Sequence, residues 1–325
     1  MRKILVTGAT GFIGIEVSRQ LADAGMMPRL MVRRPLRGIM LKNLRAEIMQ
    51  GDLTSPRSLN RVLSGVDVVI HLGARAAFEH YKYVAPSIVN GSMHLMKAAA
   101  AAGVKHFVFG GSLLVYRDTA SLIDQQTTPV PLSGYGRAKL EAERRLSAFA
   151  TKAGIRFVSL RLPHVYGAHS LLFDQVRHGR IMFPGKGDNR FAHLHVKDAA
   201  RCLIRAAEND TEGIWVIADE ESCSWNDFFE TTRTYYPRLR VAHVPRGLSF
   251  VGTRFLDGIF GIMGKPNPYP SGAVASWNLR LPVTSGTIHD VLGLSPAYPS
   301  IHDGIPEVLD DAISFYWLPS NLDRV

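Results

Sequence analysis

The stretch Lys3-Ile4-Leu5-Val6-Thr7-Gly8-Ala9-Thr10-Gly11-Phe12-Ile13-Gly14 decides the fold. Lys3–Thr7 is a short apolar run that predicts a buried strand, and a helix is predicted from Phe12 to Ala24. Gly8, Gly11 and Gly14 fall where strand must turn directly into helix. Glycine there lets the backbone turn tightly and approach a pyrophosphate, while the helix start offers free N–H groups and a partial positive charge. The spacing is G-x-x-G-x-x-G rather than G-x-G-x-x-G, and alone it also suits an ordinary strand–helix turn. Placed straight after a strand at the head of the chain, it is a candidate dinucleotide cradle, with Thr10, Phe12 and Ile13 as further contacts.

The pattern continues outward from this unit. Arg29–Val32, Glu47–Met49, Val66–Leu72, Val104–Phe109 and Arg156–Leu160 read as strands, with helical stretches between several of them. One helix ends in an alanine run closed by Gly103, and another spans Tyr135–Ala153 and is closed by Gly154. Continuously apolar strands separated by helices predict a parallel sheet covered on both faces, a Rossmann-type doubly wound α/β fold. After Tyr166 the alternation becomes irregular and Pro and Gly rise, as in 184–189 and 264–272. Residues 1–165 are therefore expected to form the dinucleotide-binding domain. Gly213–Ala218 is expected to return to it within 195–219, and 166–325 to form mainly a smaller substrate-binding lobe. Within the lobe, Leu248, Val251, Phe255, Ile259 and Met263 recur at helical spacing. They suit a lid or a membrane-surface contact, but Arg254 and Asp257 leave only a modest polar face, so the expectation is a helix packed on its own core.

Composition sets the boundaries. The 325 residues are 46% hydrophobic, ordinary for a globular chain with a sizeable core. The two cysteines, Cys202 and Cys223, exclude a disulfide framework, and neither has a neighbouring Cys or His at metal-ligand spacing, so no metal is expected. No signal peptide or membrane span is expected, and the cytoplasm is the expected compartment. The net charge of +10 is spread along the chain, which reads as a solvated basic surface rather than a nucleic-acid stripe. An anionic cofactor accounts for part of it. After the second strand, where an acid would hold the ribose hydroxyls of NAD, the chain has Arg33-Arg34. A guanidinium suits a 2′-phosphate, which favours NADP, with NAD left open.

Tyr135 and Lys139 lie four apart on one predicted helix and so share a face. A phenol with its ordinary pKa of about 10 is a poor base at neutral pH, and a neighbouring ammonium is expected to lower it. Ser112 follows a strand at its carboxyl end, where such sheets place ligands. Its hydroxyl can bind a substrate oxygen while Tyr135 takes or gives the proton and hydride moves to or from a nicotinamide.

With TGATGFIG (7–14), GDLT (51–54), HLGA (71–74), FGGSLLVY (109–116), YGRAK (135–139), RLPHVYG (161–167), HVKDAA (195–200) and VLGLSPAY (291–298) in order, the chain resembles the extended short-chain dehydrogenase/reductase family, also called the NAD-dependent epimerase/dehydratase family. The resemblance runs over nearly the whole chain. It implies Ser112, Tyr135 and Lys139 as the catalytic group, Asp52 and Leu53 beside the adenine, and Leu72, Gly73, Ala74, Leu162, Pro163 and Val165 along the cofactor. Leu113, Leu114, His164, Arg190 and Arg280 are implied on the substrate side. A small-molecule substrate and a homodimer are also implied. Ile88 stands where members often have Asn, and Arg117 where Gly usually follows Val-Tyr. Leu113-Leu114 replace the acid pair that dehydratases carry after the catalytic Ser or Thr, so dehydration is not expected. The chain looks nearest to the 3β-hydroxysteroid dehydrogenase and dihydroflavonol reductase branch, with an apolar alcohol or carbonyl as substrate. The alternatives are a nucleotide-sugar epimerase working through a transient 4-keto intermediate, its diphosphate held by Arg190 and Arg280, and a non-catalytic NADP-binding sensor.

Overall fold

The computed structural model describes residues 2–75, 78–263, 267 and 270–314. Part of the Pro- and Gly-rich stretch 264–272, namely 264–266, 268 and 269, lies outside the described residues. The first half runs β1 (Ile4–Thr7), α1 (Phe12–Asp23), β2 (Arg29–Val32), β3 (Glu47–Gln50), α2 (Pro56–Leu63), β4 (Val68–His71), α3 (Tyr81–Ala85), a π-helical turn (Pro86–Gly91), α4 (Ser92–Ala101), β5 (His106–Gly110), α5 (Gly134–Ala153) and β6 (Arg156–Arg161). All residues of β1, β2, β4 and β5 are buried, as continuous apolar strands between two helical layers must be. The long helix before Gly103 is broken at the π turn. Pro86 cannot donate the next helical hydrogen bond, and the backbone widens there. Capping frames α5: the Ser133 side chain accepts from Gly136 N at 3.0 Å, and Gly154 ends the helix at φ +65°.

The second half runs β7 (His164–Tyr166), α6 (Leu171–Arg177), β8 (Arg180–Pro184), β9 (Arg190–Phe191), β10 (His193–His195), α7 (Val196–Glu208), β11 (Gly213–Val216), β12 (Cys223–Ser224), α8 (Trp225–Tyr235), β13 (Arg240–Val244), α9 (Arg246–Ile262), α10 (Ser271–Trp277), α11 (Thr287–Leu292) and α12 (Ile301–Ser314). The central sheet has strand order β11-β6-β5-β4-β1-β2-β3, and every pair in it is parallel. The chain moves outward from β1 to β2 and β3, then crosses back to β4 on the other side of β1. The crevice beyond the carboxyl ends of β1 and β4 is thus the switch point where such sheets bind ligands. At the opposite edge, the Gln125 side chain closes β11. Its amide accepts from Val216 N at 2.7 Å and donates to Val216 O at 3.1 Å.

The smaller lobe is built on paired short strands, β7–β10, β9–β12 and β8–β13. Its core is aromatic: Trp225, Phe228, Phe229, Phe183 and Tyr166 are all buried, and Trp225 stacks on Trp277 at 5.4 Å. One expectation fails here. α9 was expected to pack its apolar stripe on a core, yet none of its residues is buried. The apolar stripe faces solvent because the half-buried side of the helix is formed by Ser249, Thr253, Leu256, Asp257 and Phe260.

Candidate active site

The glycine turn sits at the switch point. Gly8 holds φ +72°, and a Cβ on it would come within 2.7 Å of the Leu72 carbonyl carbon. A Cβ on Gly14 would lie 2.1 Å from Gly8 O, so α1 can approach β1 this closely only with glycine there. Helix α1 starts at Gly11 without a side-chain cap and with no acid in its first turn. Its leading N–H groups, with Thr10, Phe12 and Ile13 around them, are therefore left for an external anion. Below the turn runs a buried hydrogen-bond chain. Gly73 N meets Thr7 Oγ1 at 3.2 Å, Thr7 Oγ1 meets His71 Nδ1 at 2.6 Å, and His71 Nε2 meets Ser92 Oγ at 2.8 Å. Ser92 spends its one proton on Ile88 O at 2.5 Å. It must therefore accept from Nε2–H, which leaves Nδ1 to accept from Thr7. Burial, with Lys139 adding to it, pulls His71 down to about 3, so it is the neutral imidazole that locks β1, β4 and the π turn together.

Arg33 and Arg34 follow β2, exposed and in no ion pair among the described residues. Asp52 is half-buried; against that burial, hydrogen bonds from Thr54 and the Arg33 charge hold its carboxyl below the usual range. Leu53 is buried, and Leu72, Gly73 and Ala74 are half-buried at the end of β4. These residues fit a dinucleotide: Gly8 and Gly14 admit no Cβ, and Arg33 and Arg34 stand exposed just beyond β2.

Ser112, just beyond β5, and Tyr135 and Lys139, on α5, meet at the same end of the sheet. Ser112 Oγ accepts from Leu114 N at 3.2 Å. Lys139 Nζ donates to Gly110 O at 2.7 Å and lies 5.8 Å from the centre of the Tyr135 ring. The Tyr135 phenol was expected to be lowered by that ammonium, and it is not. Burial pushes it up to about 12, and the neighbouring Ser112 hydroxyl offsets this only in part. Burial also brings Lys139 down to about 8, against the Glu143 carboxylate. Desolvation thus dominates both groups, and Tyr135 rests protonated.

On the substrate side the expected residues scatter. Leu113 is buried in the lobe's core, its N–H bonded to Leu162 O at 2.8 Å, while Leu114 is half-buried. Pro163 and Val165 are half-buried beside Leu162. His164 pairs with His193 through their Nδ1 atoms at 3.0 Å and leans on Trp225; burial pulls it down to about 4. Arg190 donates to Ser222 O at 2.8 Å. Arg280 is held by Asp118, with side-chain bonds of 3.1 and 2.6 Å. An open cleft of about 680 Å³ between Lys186, Asn189, Arg246, Asn278 and Arg280 also takes in Asp118 and Asp188. Ile88 is fully buried in the π turn and Arg117 is exposed.

Sequence reading passed over the support of this site. Glu143 binds Arg161 at 2.6 Å and accepts from Ser159 at 2.7 Å, and Arg161 also donates to Tyr116 at 2.6 Å. All four residues are buried. Glu143 could have been found, since it lies one further turn along the Tyr135–Lys139 face. Nothing local marks Arg161 as its partner. Phe78 was also missed; its ring lies 5.9 Å from Tyr135.

Comparison with known proteins agrees with this fold. Ceramide reductase of Caulobacter vibrioides is 24% identical over 326 residues, covering 98% of this chain and 97% of that protein. The 2-alkyl-3-oxoalkanoate reductase of Stenotrophomonas maltophilia is 29% identical, over 70% of this chain and 69% of the relative. Among solved structures, MoeE5 in complex with UDP-glucose and NAD superposes with a TM-score of 0.78 at 23% identity, covering 97% of this chain and 99% of the other. Residues 4–218 match the family described as the NAD dependent epimerase/dehydratase family. That match takes in the whole parallel sheet and both halves of the candidate site, and the chain is an enzyme belonging to that family.

Proposed function

We propose that the chain interconverts a secondary alcohol and a carbonyl by hydride transfer on an apolar, lipid-, steroid- or flavonoid-like substrate. Residues 1–165 with 195–219 would bind the cofactor, and the remainder mainly the substrate. A nicotinamide dinucleotide on the glycine turn would supply or accept the hydride. The chain's own residues handle the oxygen: Ser112 binds it, and the protonated Tyr135 gives it a proton in reduction or takes one in oxidation. Lys139, fixed on Gly110 O, keeps a positive charge near the phenol as the proton leaves.

The observation that favours an apolar substrate over a sugar nucleotide is the engagement of both arginines suited to a diphosphate, Arg280 with Asp118 and Arg190 with Ser222 O. Freeing either would cost the bonds it already makes. Lys186 and Arg246 in the open cleft favour the second reading, a nucleotide-sugar epimerase. A panel of long-chain ketones and nucleotide sugars, assayed with reduced and oxidised cofactor, separates the two. We expect ketone reduction and no exchange at the sugar C4 position; epimerisation lost on Arg280→Ala would reverse the assignment.

NADP is the proposed cofactor, on the strength of Arg33 and Arg34. A charge-assisted hydrogen bond contributes about 1.5–3 kcal/mol, so replacing both by Ala should weaken NADP binding by roughly ten-fold or more and leave NAD binding little changed. Titration of both cofactors checks this, and tighter binding of NAD by the unmodified chain would refute it.

A further inference from the structure

Helix α9 wears its apolar side outward. Leu248, Val251, Phe255, Ile259 and Ile262 fall on one narrow stripe at helical spacing, and all are exposed, Phe255 at 70% and Ile262 at 91%. The opposite side, which half-buries Leu256 and Phe260, is also tied to the lobe by Asp257. Asp257 accepts from Asn267 Nδ2 at 2.7 Å and from Ser271 N at 3.1 Å, which tethers the helix to α10. A helix in water normally points its apolar stripe inward, and an exposed stripe of this size marks a contact surface.

We infer that α9 is a docking helix that lies in the surface of an anionic lipid membrane. Charge selects this occupant. The helix's single acid is turned inward, whereas Arg254 is exposed and in no ion pair among the described residues; Arg246, at the helix start, faces the Asp118 carboxylate of the cleft. Arg254 flanks the stripe with its guanidinium 5.6 Å from the Phe250 ring, a placement that suits the level of lipid headgroups. The chain as a whole carries a charge of +10. A second copy seated on the same stripe would bring like cations to a shared seam. Among the described residues no helix is long and apolar enough to cross a membrane, so contact would be with one leaflet. The inference does not depend on the substrate proposed above.

Sedimentation of the full chain with vesicles tests it. Vesicles of phosphatidylcholine mixed with phosphatidylglycerol should bind the protein roughly five-fold more tightly than phosphatidylcholine alone, at about 1 kcal/mol for the one cation beside the stripe. Added salt should erode the difference. Phe255→Glu and Ile262→Glu, both at outward positions, should abolish sedimentation while dinucleotide binding persists as the check on folding. Absence of vesicle binding by the unmodified chain overturns the inference, as does equal binding to neutral vesicles. If the two substitutions instead dissociate a dimer, a second copy covers the stripe. If only a chain shortened after Ser314 binds vesicles, the chain's own end covers it. Either result also overturns the inference.

Discussion

Tyr135→Phe is expected to cut turnover by about a hundred- to ten-thousand-fold while leaving dinucleotide affinity nearly unchanged. The substitution removes one oxygen and little else. The ring still packs near Phe78, and Lys139 keeps its bond to Gly110 O. What disappears is the proton carrier. Burial raises the phenol to about 12, so at neutral pH the wild-type group is loaded with the proton that carbonyl reduction needs. Phenylalanine has none to give. Single-turnover hydride transfer together with a cofactor titration makes the comparison. Near-wild-type transfer by the Phe variant would remove Tyr135 from the proposed chemistry.

The second large effect is expected from Glu143→Ala, on stability rather than on chemistry. Arg161 is 7% exposed and bonds Glu143 through both Nε and Nη2, at 3.2 and 2.6 Å. Removing the carboxylate leaves a buried guanidinium with only Tyr116 as a partner among the described residues, and such a change costs about 3–5 kcal/mol. The denaturation midpoint in urea should fall accordingly. Glu143→Gln keeps an acceptor for Arg161 and should lose less. It also isolates a subtler effect, because the Glu143 charge opposes the burial that brings Lys139 down to about 8. With that charge gone, Lys139 should release its proton at lower pH, and any activity requiring the ammonium should decline from a lower pH. A pH–rate profile that does not move in the Gln variant would dissociate Glu143 from Lys139.

The sheet was legible because its information is local. Buried strands such as Val68–His71 are short runs that are apolar up to their last residue, and the glycine turn announces where β1 hands over to α1. The lobe was not legible in the same way. β9 is two residues long and pairs with Cys223–Ser224, some thirty residues on, so no window of sequence contains its reason to be a strand. α9 shows a different limit. Spacing reveals that Leu248, Val251, Phe255 and Ile259 share a side, but the direction of that side is set by Asp257 reaching Ser271 on another helix. In the site, Ser112, Tyr135 and Lys139 were readable from residue type and spacing. The protonation of Tyr135 was not, because it depends on how far the fold strips water from the phenol. His71, a lone histidine in an apolar strand, carried no signal of its place between Thr7 and Ser92.

The position of β11 bears on how this chain is made. β6 ends at Arg161, the chain then builds β7 to β10, and only at Gly213 does it return to lie beside β6. Until then β6 is a bare edge, with a row of N–H and C=O groups ready to recruit any extended peptide nearby. A nascent chain emerging from the ribosome passes through that state for the time taken to add some fifty residues, at about 5–20 residues per second. In the finished protein β11 is itself the edge, and the Gln125 amide takes both backbone groups of one of its residues, Val216. Cut after residue 165, the chain would keep its glycine turn and leave β6 as an unpaired edge, open to pairing with another chain.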